Sequence, residues 1–117
     1  MAYVDGFLLA VPDANKEAYR AMAEQAAAVF RKHGATQVME CWGEDVPDGV
    51  VTSFPLAVKL APGETVVFSW IVWPSRAVRD AGHPVAMQEF EDMGLQASHL
   101  FDGKRMVFGG FDVMVDA

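Results

Sequence analysis

Asp5 falls between Tyr3 and Phe7 on one face of an apolar stretch running from Tyr3 to Val11. A carboxylate in such surroundings needs a cationic or hydrogen-bonding partner, or its pKa rises. Arg76, Arg105 or the backbone donors of a helix start beside Ser75 could supply that partner. So held, Asp5 could act as a general base or anchor a polar ligand at the mouth of a pocket between sheet and helices. The same residues also read as an ion pair that fixes the strand. Trp42, Phe68 and Trp70 would then be aromatic walls for a planar ligand, with Arg76 beside them, or they are plain core. His99, three residues before Asp102, is the histidine kept as an acid–base candidate. Asp5, His99 and Arg105 therefore form the candidate catalytic set, and Trp42, Phe68, Trp70 and Arg76 the candidate ligand-binding set.

Other chemistry is poorly represented. Cys41 is the only cysteine, so it forms no internal disulfide, and no histidine close in sequence would activate it. No Cys/His cluster has zinc spacing, and His33 and His83 are scattered, so no metal is expected. His33 fits the last turn of a helix, where its charge meets the helix dipole. Haem is not expected either, because no histidine falls in a core element to serve as axial ligand. Dinucleotide, Walker, zinc-peptidase and serine-hydrolase motifs are absent; Gly103-Lys104-Arg105 lacks the upstream glycine and the Ser/Thr of a phosphate loop. No cofactor is called for.

The elements that must position these groups can be read from periodicity. Val66 to Trp73 is β-branched and aromatic on both alternating faces, with Ser69 the one exception, so it reads as a strand covered on both sides. Pro74 stops it, Ser75 is a helix N-cap and Arg76 opens the helix. Tyr3 to Val11 is likewise apolar on both faces and ends at Pro12. A helix capped by Asp13 or Asn15 runs to about His33, with Tyr19, Met22, Ala23, Ala26, Phe30 and His33 on one stripe and Gly34 as its stop. Ala35 to Glu44 is a second strand, and residues 46–63 are irregular or hold a short helix. After Ser75, Arg76 and Asp80 pair at i, i+4, and Gly82-His-Pro84 interrupts the helix, leaving a second piece from Pro84 to Met93. Leu95 to Phe101 is loop, Asp102-Gly103 a tight turn, and Met106 to Val115 the last strand.

The chain of 117 residues suits one domain, and its formal net charge of −7 lacks the basic patch that phosphate neutralisation requires. Nucleic acid and anionic membranes are therefore not expected partners, and no stretch is long enough for a membrane span. The N-terminus lacks the pattern of a signal peptide, so the expected location is the cytoplasm. The order β-α-β-β-α-β predicts an α+β, ferredoxin-like fold with an antiparallel four-stranded sheet. Two helices cover one face of such a sheet. Strands apolar on both faces need a second cover, and an identical sheet is the economical one, so a homodimer through the sheet face is expected. The alternative cover is residues 46–63 folded across.

Tyr3-Val-Asp-Gly-Phe7, Val51-Thr-Ser-Phe-Pro55, Val67-Phe-Ser-Trp70 followed by Pro74-Ser-Arg76, and Phe101-Asp-Gly-Lys-Arg-Met106 with Gly109-Gly-Phe111 occur in order across nearly the whole chain. Together they resemble the YbaA-like family, small bacterial proteins whose function is not established. The resemblance implies a dimeric α+β barrel, and a more continuous helix over Gly82 to Leu100 than Gly82-His-Pro84 allows. Other dimeric α+β barrels include cofactor-independent monooxygenases, isomerases and haem-dependent proteins. By that analogy the expected function is binding of a small organic molecule, with cofactor-independent catalysis. A non-catalytic metabolite-binding or structural module is the alternative, and an RNA-associated role is the least favoured.

Overall fold

The computed structural model describes residues 1–95 and 99–117. Strand β1 covers Tyr3–Pro12, helix α1 Lys16–Lys32 and strand β2 Gln37–Trp42. A short helix α2, Phe54–Ala57, precedes strand β3, Glu64–Trp73; helix α3 spans Arg76–Asp92 and strand β4 Val107–Asp112. All strand pairs are antiparallel and the sheet order is β2-β3-β1-β4, so the two longest strands lie in the middle. Apolar residues on both faces suit those central positions, where each strand is paired on both edges.

The register decides what each face carries. Asp5 pairs with Ile71 and Gly110, and Phe7 with Ser69 and Phe108. With Leu9, Val67, Trp73, Glu40 and Trp42 these side chains make the face covered by α1 and α3. The core there centres on Tyr3, Val29, Phe30, Ile71 and Trp73, continuing into Leu9, Val11, Tyr19 and Val67. Val4, Leu8, Phe68, Trp70, Val72, Met39 and Phe111 share the opposite face.

Residues 46–63 cover one end of that second face. Ser53 caps α2 by accepting from the Leu56 amide at 3.1 Å, and Val58 and Leu60 pack on Ala10 and Val66. Val58 is wholly buried, whereas Phe68, Phe111 and Phe54 remain 43%, 61% and 45% exposed. The folded-over segment and an open apolar face therefore coexist.

Three local expectations change. Neither Asp13 nor Asn15 caps α1 through its side chain. Asn15 instead donates to the Leu100 carbonyl, and Asp13 accepts from Thr65. Helix α3 is not interrupted: it runs unbroken through Gly82, His83 and Pro84, as the family resemblance implies. Pro84 removes only the bond to the Asp80 carbonyl, and both residues lie on the exposed side where water can serve that carbonyl. Gly82 is a packing residue, because a Cβ there would lie 2.2 Å from the His33 carbonyl oxygen and 2.9 Å from the Trp73 ring. The last strand is shorter than expected, and the proposed loop from Leu95 to Phe101 includes residues 96–98, outside the described residues.

Candidate functional site

The floor of the site is the helix-facing side of β1, β3 and β4, and its walls are α1 and α3. Between them lies a cleft of about 1040 Å³. The sheet contributes Asp5, Phe7, Leu9, Ser69, Ile71 and Phe108; α1 contributes Tyr19, Met22, Ala26 and Phe30. Helix α3 presents Arg79, His83, Met87 and Glu91 at a stride of four residues, one stripe of the helix. Leu95, Phe101 and Met106 close one end. This size and apolar lining suit a drug-sized organic molecule.

One end of the cleft is polar. Asp5 is 7% exposed, and its Oδ2 accepts the indole N–H of Trp73 at 3.0 Å. Its Oδ1 lies 3.4 Å from Nε of Arg79. Arg79 donates from Nη2 to the Tyr3 hydroxyl at 2.8 Å, and its guanidinium carbon sits 4.7 Å from the Tyr3 ring centre. Burial works against the Arg79 charge, but the Tyr3 bond and the Asp5 and Asp80 carboxylates outweigh it and raise its pKa. Nε itself is buried without a hydrogen-bond partner among the described residues. Gly110 makes this cluster possible, since a Cβ there would fall within 2.5 Å of both the Tyr3 hydroxyl and Arg79 Nη2.

A smaller groove of about 360 Å³ runs between α1 and β2. The buried Tyr19 hydroxyl donates to Oε1 of Glu40 at 2.6 Å, so Tyr19 spans cleft and groove. Burial first, then the Glu40 charge, pushes the Tyr19 pKa far up. Burial of its carboxyl also raises Glu40, and the Tyr19 bond opposes that rise. The residue as a whole is exposed, so solvent moderates the effect.

Of the seven candidate catalytic and ligand-binding residues, only Asp5 lines the cleft. Its charge partner is Arg79, neither Arg76 nor Arg105. Arg76 is exposed, pairs with Asp80 at 3.5 Å and lies 5.9 Å from the Tyr3 ring centre. Arg105 sits at the other end of β3, bound to both Glu64 oxygens at 2.8 Å and to Asp102. With a further bond to the Lys59 carbonyl it clamps three segments together, and Glu64 is held below the usual carboxylate range chiefly by Arg105. His99 is exposed on a turn and does not line the cleft. Phe68 and Trp70 are on the opposite face of the sheet, 5.2 Å apart, and Trp70 donates to Gln37. Trp42 is on the helix-covered face but in the smaller groove, with the Lys16 ammonium 5.1 Å from its ring centre; Cys41 lines that groove too. His33 meets Glu89 at 2.8 Å, an interhelical contact beyond the dipole. Sequence reasoning missed Arg79 and set His83 aside as a scattered histidine. Their i, i+4 spacing is a usable signal only once α3 is taken as continuous.

Among the described residues, no group of three or more His, Cys, Asp or Glu converges to hold a metal ion. Among them, too, no helix is long and apolar enough to cross a membrane.

Comparison with known proteins agrees with this architecture. The fold is shared with Rv0793 from Mycobacterium tuberculosis, at TM-score 0.58 and 13% identity over 100% of this chain and 99% of that one. It is shared also with SnoaB, a cofactor-independent oxygenase from Streptomyces nogalater, at TM-score 0.65 and 14% identity over 98% and 95%. At such identities the likeness extends to the α+β, barrel-type fold alone. In sequence the chain is 51% identical over 116 residues to the uncharacterized protein YbaA of Escherichia coli, covering 99% of each. The identity to YbaA of Shigella flexneri is the same. A family model matches residues 2–103, and the chain belongs to that family, the Protein of unknown function (DUF1428) family.

Proposed function

We propose that the protein binds a small organic molecule in the cleft between α1, α3 and the sheet, and acts on it as an enzyme without a bound cofactor. The observation that carries this reading is the cleft itself, about 1040 Å³ of mostly apolar lining with Asp5 and Arg79 at one end. The apolar walls would hold the body of the molecule, and the Arg79 end would orient an oxygen-bearing group. SnoaB, a cofactor-independent oxygenase, uses the same fold, which supports oxygenase-type chemistry by analogy. We also propose a homodimer through the open sheet face; the exposed Phe68 and Phe111 support it.

One observation favours a second reading, in which the cleft holds a metabolite without turnover. Asp5 Oδ2 holds the Trp73 indole and Oδ1 faces the Arg79 guanidinium, an arrangement that suits an anchor for a ligand as well as a reacting group. Native mass spectrometry of protein purified from its host, followed by denaturation, tests both. A released small molecule is expected. Its conversion on reincubation with the protein supports the enzyme, and unchanged recovery supports the binding module. Absence of any released molecule, together with no shift in melting temperature across a panel of aromatic acids, ketones and phenols, would overturn both.

A further inference from the structure

We propose that His83 is the acid–base residue of the cleft, and that its substrate is a flat, largely apolar compound with an acidic C–H beside a carbonyl. The inference rests on the cleft being the binding site. His83 lies one helical turn beyond Arg79, about 6 Å along the axis, and both side chains line the cleft. Its ring is half-buried against Phe30, with centroids 5.7 Å apart. Among the described residues, no hydrogen bond or ion pair engages its ring nitrogens.

The other titratable groups facing the cleft are Asp5 from β1, Tyr19 from α1, and Arg79 and Glu91 from α3. Asp5 is engaged at both oxygens, the Tyr19 hydroxyl is committed to Glu40, and Glu91 is exposed at the rim. The His33–Glu89 pair lies behind, where His33 meets Gly82. His83 is therefore the cleft-lining acid–base side chain without a partner among the described residues.

In the step proposed, a neutral ring nitrogen takes the proton from carbon. The electron pair of the C–H bond moves into the carbonyl, and the resulting enolate oxygen is met by Arg79 N–H groups. Where a C=C of the substrate is conjugated with that enolate, returning the proton to its far carbon shifts the double bond and gives an isomer, with no oxidant needed. Phe7, Phe30, Phe90 and Phe108, with the adaptable Met87, suit a planar body.

The test uses two probes. Anilinonaphthalene sulfonate reports binding by fluorescence, and Ala26→Trp, which fills the cleft, should abolish its signal. 5-Nitrobenzisoxazole reports base strength: loss of its ring C–H proton forms the nitrile as the N–O bond breaks to a coloured phenolate. Wild type should accelerate this reaction along a single ionisation. His83→Gln and His83→Asn should keep dye binding and melting temperature, lose the ionisation, and slow the reaction by about tenfold to a hundredfold. Unchanged rates and pH profile in both variants would overturn the role of His83 while leaving the cleft intact. Dye binding indifferent to Ala26→Trp would instead overturn the cleft itself.

Discussion

At the scale of single residues, Asp5 and Arg79 carry most of the electrostatic tension. A carboxylate 7% exposed is tolerable only because an indole N–H and a guanidinium face it. Removing the cation while keeping the anion leaves a buried charge unpaired, which in fully buried pairs costs about 3–5 kcal/mol. Arg79 keeps 24% of its side chain in solvent, so Arg79→Met should cost less, about 2 kcal/mol by urea denaturation. Adding Asp5→Asn should recover most of that loss. Single and double variants that all fall within experimental error of wild type would mean that solvent already neutralises the pair. Asp5 was legible in the sequence because a charge on an apolar strand face is conspicuous. Arg79 was not, since its pairing depends on where α3 crosses the sheet, and Arg76 and Arg105 looked equally placed. Phe68 and Trp70, expected as ligand walls or core, lie on the face opposite Asp5 for a related reason. When both faces of a strand are apolar, alternation says which residues share a face but not which face meets the helices.

Elements are held by a few terminal contacts, and the sequence pattern identifies Ser75 correctly as a cap while misplacing a break in the helix that Ser75 opens. Ser75 Oγ accepts from the Val78 amide at 3.2 Å, so Ser75→Ala should lower stability by about 1 kcal/mol. A loss under a few tenths would assign that amide to water. Gly82 looked like a helix break because Pro84 is close behind it, yet it is the point where α3 touches the C-terminal end of α1. Gly82→Ala must push α3 off the His33 carbonyl and should cost roughly 1–3 kcal/mol. A helix-propensity gain from the same change would show instead that the two helices can separate freely. Glu89 joins the helices from the other side, bonded by His33 at 2.8 Å and Lys32 at 3.0 Å. Those partners, His33 first, hold its carboxyl below its ordinary value of 4.5. A depressed folded pKa means stabilisation that is complete above the unfolded value and lost as pH falls through the folded one. Melting curves of wild type and Glu89→Gln should therefore differ near neutral pH and converge on acidification below about 4.5. A constant gap down to strong acid would show that Glu89 acts by packing and not by charge.

For the whole molecule, the fold was readable because long, periodic segments fix element type and order, and the antiparallel sheet is a consequence of that order. What the sequence left open was how two covers share one sheet face. The structure gives part of the answer: Val58 and Leu60 bury Ala10 and Val66 at one end, and the rest of the face stays bare. Val4, Phe68, Trp70 and Phe111 belong to that remaining area, with the tilted Phe54 ring of α2 centred 5.8 Å from that of Phe68 at its margin. A stable homodimer needs about 800 Å² of each partner, and a four-stranded face can supply it only if the centre of the patch is continuous. Charge placed at that centre is desolvated on pairing and opposed by its own copy across a two-fold axis. Phe68→Asp with Phe111→Asp should therefore convert a species of twice the chain mass into one of 12.8 kDa on native mass spectrometry. The single chain should still melt cooperatively, because both side chains lie opposite the face that packs on α1 and α3. Wild type running as a 12.8 kDa species at micromolar concentration would refute the sheet-to-sheet dimer. A double variant that stays dimeric would move the interface elsewhere, to the exposed Val50 and Val51 before α2 or to the β4 edge.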